Sequence, residues 1–284
     1  MRNQREPDDD GGTRPPDGAP DTETEGGNMR ILVLVKEVPD TWGERRIDPA
    51  SGRVDRQSSS PVLDEIGERA LEVALAIKDS DKSTEVVLVS MGPASATKSI
   101  RKGLAMGASS AIHLVDDALV GADLLFTAEA LAALIGREAF DLVLAGNEST
   151  DGRGGIVPAM IAEHLGMPHL TFMDSLRIEA GQVSGMRNGD HGPAEVSAHL
   201  PAVASITERL PDPRFPNFKG LMTAKKKPYT TVSLAEIGVG GMREAASTVI
   251  SSKERPARSA GVKVVDSGNA GRELADFLAQ NRLI

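Results

Sequence analysis

Residues 84–115 read TEVVLVSMGPASATKSIRKGLAMGASSAIHLV, and the change of period inside this stretch decides the fold. Thr84–Ser90 is a short, continuous apolar run, the pattern of a strand buried on both faces. Ala96, Ile100 and Leu104 then recur at the spacing of one helix face, and Gly107 is placed to stop that helix. Ala111–Val115 is again a continuous apolar run. Strand, helix and strand within about thirty residues make the βαβ unit of a parallel sheet.

The alternation extends outward. Ile31–Val35 and Leu142–Ala145 are further buried-strand runs. Ile66, Ala70, Val73, Ala74 and Ile77 share one helix face, and Asp123 is placed to cap a helix whose inner face carries Leu124, Ala128, Leu131 and Ile135. Another helix is expected to open at Ser60-Pro61, a capping serine followed by proline at the first helical position, with free N–H groups suited to an anion. The fold class is therefore α/β, a mainly parallel sheet with helices on both faces. After about Pro168 the pattern changes. Leu176–Glu179, Gln182–Met186 and Val196–Ile206 read as short strands, with Asn188-Gly189 a turn signal. A basic loop and a C-terminal extension follow.

The chain has 284 residues and no cysteine, which excludes disulfides, thiolate metal sites and a cysteine nucleophile. Its net charge of −9 is uneven: residues 1–28 carry eight acids against three arginines. That tail is rich in Pro, Gly, Asp and Thr and is expected to be disordered, with the folded part beginning at Met29. The remainder has no basic footprint for nucleic acid. No apolar run reaches the roughly 20 residues needed to span a bilayer. With no leader or transit pattern either, a cytoplasmic protein is expected.

In open parallel sheets ligands bind beyond the carboxyl ends of the strands. The loops there are Lys36–Asp40, Met91-Gly92-Pro93 and Gly146–Gly155. The last reads GNESTDGRGG, with four glycines that let backbone amides approach a phosphate, and it leads into a helix around Val157–Leu165. The plainer reading is a mobile connection. It is neither a P-loop nor a GxGxxG fingerprint. Gly238-Val239-Gly240-Gly241 follows no convincing strand and reads as a linker.

Catalytic groups are sparse. His113, His164, His169, His191 and His199 are scattered without metal-ligand spacing, and Ser149 and Thr150 have no evident base. In the segment Pro213–Lys227, PRFPNFKGLMTAKKK, the lysines read as a solvated loop. A sharper reading is a docking surface with Phe215, Phe218, Leu221 and Met222 as apolar anchors.

At these residues the chain resembles the β subunit of electron transfer flavoproteins, bacterial type, from Met29 to the C-terminus. The resemblance rests on VLVKEVPDT (Val33–Thr41), MGPASATKSIRKGLAMGA (Met91–Ala108), AGNESTDGRGGIVPAMIAEHLGMPHLTF (Ala145–Phe172), LPAVASI (Leu200–Ile206), PRFPNFKGLMTAKKKP (Pro213–Pro228) and RSAGVKV (Arg258–Val264). It implies a Rossmann-like, adenine-nucleotide-binding domain over 29–237 containing a recognition loop at 213–228, and a C-terminal arm at 238–284 that packs on a partner subunit. It further implies a heterodimer with an α subunit that holds most of an FAD, and an AMP in this chain. Electrons would be relayed from acyl-CoA dehydrogenases and similar flavoenzymes to a membrane quinone reductase, with no catalytic residue in this subunit. Carried over by position, AMP would meet Leu34, Ser60, Pro61, Val62, Leu63, Met91, Gly146, Asn147, Glu148, Ser149, Thr150, Asp151, Gly152, Arg153, Gly154, Gly155, Ile156 and Val157. Docking would use Phe215, Phe218, Leu221, Met222, Lys225 and Lys226, with Phe218 where the family places a leucine anchor.

The chain departs from the family's pattern at Ser60-Pro61-Val62 for Asn-Pro-Phe, Thr41 for a tyrosine, Arg187-Asn188 for Arg-Glu, and Arg153-Gly154-Gly155 in the nucleotide loop. Two other readings stay open: an electron-bifurcating β subunit with a second FAD in the AMP site, and a stand-alone nucleotide-binding or nucleotide-hydrolysing protein.

Overall fold

The structure, a computed structural model, describes residues 28–57, 59–241, 244–253, 256, 261, 263 and 265–284. The acidic tail before Asn28 and most of the RSAGVKV stretch lie outside the described residues. By their contacts the described residues form two compact units, one drawn from 28–46 and 54–248, the other from 47–53 and 249–284.

The larger unit is built on a ten-stranded sheet. Its parallel strands are β1 (Arg30–Leu34), β4 (Glu85–Met91), β5 (Ser110–Leu114), β6 (Leu142–Gly146), β7 (His169–Met173), β11 (Ala202–Ile206) and β12 (Tyr229–Val232). Across the sheet they run β7-β11-β6-β1-β4-β5-β12. β9 (Gln182–Gly189) pairs antiparallel to β7, and β8 (Arg177–Glu179) and β10 (Gly192–His199) flank β9. A two-stranded ribbon of β2 (Glu37–Pro39) and β3 (Pro61–Leu63) closes the excursion after β1.

Alternation along each central strand sends side chains into two cores. Ile31, Val33, Leu88 and Leu144 meet Leu71 and Leu75 of α1 (Glu65–Ser80) and Ile100 and Leu104 of α2 (Thr97–Met106). Leu32, Val87, Val89 and Val143 meet Leu131 and Ile135 of α3 (Leu124–Ile135) and Ile161 of α4 (Val157–Leu165). Both faces are thus covered, and so these strands carry unbroken apolar runs. Gly107 ends α2 at φ 146°, a conformation that a side chain would strain.

The structure corrects several local readings. Ser60-Pro61 does not open a helix: Pro61–Leu63 is a strand paired with Glu37–Pro39, and the helix starts at Glu65 with Asp64 as its cap. Pairing with β2 holds Pro61–Leu63 extended, and Asp64, an equally good cap, takes the first α1 amides instead. Val196–Ile206 is two strands, because Pro201 cannot donate to a ladder; β10 pairs with β9, while β11 inserts between β6 and β7. The hairpin turn is Asp190-His191, between the paired Gly189 and Gly192, not Asn188-Gly189. Leu124 is 44% exposed at the first turn of α3 and does not join its inner face. The basic loop contains a helix, α5 (Phe218–Ala224).

In the smaller unit Asp48 organises a turn, its carboxylate accepting from Ala50 N and Ser51 Oγ. The amphipathic α6 (Ala270–Gln280) presents Leu274 and Phe277 to solvent.

Candidate functional site

The sheet topology selects one rim position. β1 and β6 are neighbours, yet the chain leaves β1 towards α1 on one face and leaves β6 towards α4 on the other. Such a switch opens a crevice at the carboxyl ends of the two strands. The Lys36–Pro39 segment lies on one side of it and Gly146–Gly155 on the other.

The first half of the glycine-rich loop is bolted down. A β carbon on Gly146 would stand 2.8 Å from Ile66 Cγ2, so only glycine lets the strand pass this close to α1. Asp64 is 2% exposed. Its Oδ1 accepts from Ile66 N at 3.0 Å and Gly67 N at 3.4 Å, which caps α1. Its Oδ2 accepts from Thr150 N and Thr150 Oγ1, each at 2.7 Å. Arg45 reaches the same threonine, donating to its carbonyl and, at 3.0 Å, to its Oγ1.

Asp151 lies between two cations, Lys36 Nζ at 2.9 Å and Arg56 Nη2 at 2.6 Å, and Lys36 also donates to Ser149 Oγ at 3.3 Å. Burial pushes the Asp151 carboxyl upward, but the charge and hydrogen bond of Lys36, with Ser149 and Arg56, outweigh it and hold the group well below the usual carboxylate range.

The second half of the loop is open. Gly152, Arg153 and Gly154 are exposed, and Arg153 and Gly155 have φ of 50° and 64°. Ile156, the residue before α4, gives it no side-chain cap, so first-turn amides such as Ala159 N lack a helical partner. Gly154 lies beside Leu124, and Gly155 beside the ring of Phe172, itself held at φ 59°. A bulky residue with positive φ is strained backbone at this rim. Asn147, 7% exposed, leaves Oδ1 buried without a partner.

Leu34, Met91 and Val157 are half-buried and pack against the core on the α3/α4 side, so three of the sequence-selected positions border the same core. Leu63 instead belongs to the core on the α1/α2 side, and Ser60 and Pro61 are exposed on the β2–β3 ribbon. Glu148 is half-buried in the bolted half of the loop. Residues that local reading did not single out are Arg45, Arg56 and Asp64. Of these only Asp64 had a local signal, an acidic cap followed by Glu65 and Glu68 in the first turn.

The segment 213–228, where a docking loop is expected from the sequence, holds a further group of those residues. Asn217 Oδ1 caps α5 by accepting from Gly220 N at 2.7 Å. Arg101 of α2 donates to Ala224 O at 2.9 Å. Arg214 forks onto Glu72 and also pairs with Asp79 at 2.8 Å, and Glu72 first, against burial, raises its pKa further. Phe215 is 91% and Phe218 79% exposed, Leu221 and Met222 are more than half exposed, and Lys225 and Lys226 are exposed beside them. Asn188, at the departure noted above, donates to Asp174. Among the described residues no helix is long and apolar enough to cross a membrane, and no group of three His, Asp or Glu residues is placed to hold a metal.

Residues 52–237 match the electron transfer flavoprotein domain. An electron transfer flavoprotein subunit beta of Mycobacterium tuberculosis (strain ATCC 25618 / H37Rv) is 47% identical over 263 residues, covering 89% of this chain and 99% of the relative. The subunit beta of Mycobacterium leprae is 46% identical over the same shares. The caffeyl-CoA reductase-Etf complex subunit CarD of Acetobacterium woodii is 36% identical, covering 88% of this chain and 96% of that protein. With a matching domain over most of its length and relatives this similar, the chain belongs to the β-subunit family of the electron transfer flavoproteins.

Proposed function

We propose that this chain is the AMP-holding subunit of a heterodimeric electron transfer flavoprotein, whose α subunit carries the working FAD. The complex accepts electrons from acyl-CoA dehydrogenases and similar flavoenzymes and passes them to a membrane quinone reductase. The observation that carries the nucleotide reading is the convergence, at the β1/β6 crevice, of an open glycine-rich half-loop with an uncapped helix N-terminus.

The residues present fit such a ligand. The amides of Gly154 and Gly155, the first turn of α4 and the exposed Arg153 guanidinium favour a phosphate by charge and by donors left without a partner, while the Gly152 and Arg153 amides are held by Asp151 and Ser149. Leu34, Met91 and Val157 offer apolar surface for a base, and the orphaned Asn147 Oδ1 offers a buried acceptor. AMP supplies no redox chemistry; it adds a fixed anion and fills the crevice. FAD, when bound to the complex, supplies the electron-carrying group. The role of Phe215, Phe218, Leu221, Met222, Lys225 and Lys226 is to meet an apolar pocket with an acidic rim on an electron donor, a reading supported by their joint exposure on a braced segment.

The test is co-expression with the α partner, followed by an absorption spectrum and mass spectrometry of the nucleotides released on denaturation. One flavin and one AMP per heterodimer are expected. Two flavins would favour a bifurcating subunit, a reading kept in view by the similarity to a reductase-complex subunit. A colourless chain that purifies alone would overturn the proposal.

A further inference from the structure

The geometry points to Asp64 as the positioning residue of the nucleotide crevice, a latch that fixes the glycine-rich loop by joining Thr150 to the head of α1. The inference rests on the nucleotide reading above and adds to it which side chain gives the loop its shape.

In this topology the helix that follows the first strand ordinarily offers its N-terminal amides to a ligand anion. Here those amides are already taken. Asp64 Oδ1 accepts from Ile66 N and Gly67 N, at 3.0 and 3.4 Å. An external phosphate at α1 would have to displace a carboxylate that is 2% exposed and held by the chain itself. The same carboxylate does a second thing. Oδ2 accepts both the backbone N–H and the hydroxyl of Thr150, each at 2.7 Å, across 86 residues of sequence. Asp64 N completes the joint by donating to Lys36 O at 2.8 Å. One buried residue therefore ties together, by its side chain, the start of α1 and the middle of the loop that follows β6 and, by its backbone, the segment just after β1.

The consequence is a division of labour along the loop. Gly146–Asp151 is immobilised by Asp64, by Arg45 on Thr150 and by Lys36 and Arg56 on Asp151. The Gly152 and Arg153 amides turn back onto Asp151 and Ser149, which leaves Gly154–Ile156 and the Arg153 side chain to meet a ligand. Loop entropy lost before binding is not lost during it, so a latched loop binds more tightly than a free one. A crevice whose loop is free would still fold, but it would grip its nucleotide weakly.

The experiment uses the α/β complex with its nucleotide removed and AMP added back in a titration calorimeter. Asp64→Asn keeps an oxygen for the α1 cap but offers an NH2 where Thr150 N–H needs an acceptor. Thr150→Val removes the hydroxyl from the other end of the joint, and Thr150→Ser restores it. The expected result is an AMP dissociation constant raised at least about tenfold in Asp64→Asn, as for a lost hydrogen bond to a charged group. Thr150→Val weakens binding as well, Thr150→Ser stays near wild type, and the Asp64→Asn/Thr150→Val double variant binds less weakly than additivity would give. The nucleotide-free complex melts a few degrees lower in Asp64→Asn, because the Thr150 N–H loses its acceptor, but stays folded and keeps its α partner. Unchanged AMP affinity in Asp64→Asn, or a lowered nucleotide-free midpoint with affinity unchanged, would overturn the inference and leave the AMP reading standing. A wild-type complex that neither retains nor takes up AMP would overturn that reading, and the latch with it.

Discussion

Lys227 donates from Nζ to the carbonyl oxygen of Leu104, 2.8 Å away, and so places a cation at the carboxyl end of α2. It donates to Ala108 O as well, and the site is half-buried, with burial pushing the ammonium pKa down. Lys227, at the end of the 213–227 segment, thereby satisfies one carbonyl in the last turn of α2 and one just beyond the helix. Lys227→Met should lower stability by about 1–2 kcal/mol and slow electron acceptance from dehydrogenases. Thermal melts and stopped-flow reduction check it; a melting curve that overlays wild type would remove Lys227 as a brace.

Phe218 should behave in the opposite way. At 79% exposed it contributes little to folding, so Phe218→Ala leaves the melting midpoint within a degree or so. As an interface anchor its loss costs about 2 kcal/mol, or roughly thirtyfold, in productive docking. Transfer kinetics indistinguishable from wild type would strike it from the docking face.

Gly146→Ala places a methyl against Ile66 at 2.8 Å, on the rigid first turn of α1. The expected outcome is a loss of about 1–3 kcal/mol together with a lower AMP content, because the loop must back away. Paired measurement of melting and of nucleotide released per flavin would expose a failure of either part.

His113 provides a pH signature. It is 1% exposed, with Tyr229 OH 2.8 Å from Nδ1. Burial pushes its pKa below 6.5, while the Gly92 backbone and the charge of Glu37 pull it back without restoring it. The folded protein therefore resists a proton that the unfolded chain accepts. The stabilisation is complete above pH 6.5 and is lost as the pH falls towards the folded value. Melting midpoints measured from about pH 7.5 down to about pH 5.5 should fall more steeply in wild type than in His113→Gln. Parallel slopes would show that another group governs the acid limb.

The fold was legible where burial on both faces forces unbroken apolar runs, as in β1, β4, β5 and β6. It was less so at the sheet margin. β12 is only Tyr229–Val232, with two exposed threonines after a basic run, and its pairing with β5 is set by contacts that no local pattern encodes. Val196–Ile206 misled because composition alone does not show that a proline separates two strands bound for different neighbours. The crevice loops were legible from topology and glycine content. The arginines that fasten them were not: Arg45 and Thr150 are 105 residues apart, and Arg56 and Asp151 are 95 apart.

A β carbon on Gly220 would lie 2.2 Å from Ala105 O, so α5 rests on α2 main chain against main chain. The height of the three apolar tips on α5, Phe218, Leu221 and Met222, is consequently set by peptide geometry and not by the tips themselves. Such a mount works like a socket. On the docking role proposed above, the exposed side chains can be exchanged for others, and the surface fitted to a different electron donor, while the socket stays where it is. Any side chain at position 220 would tilt every tip at once.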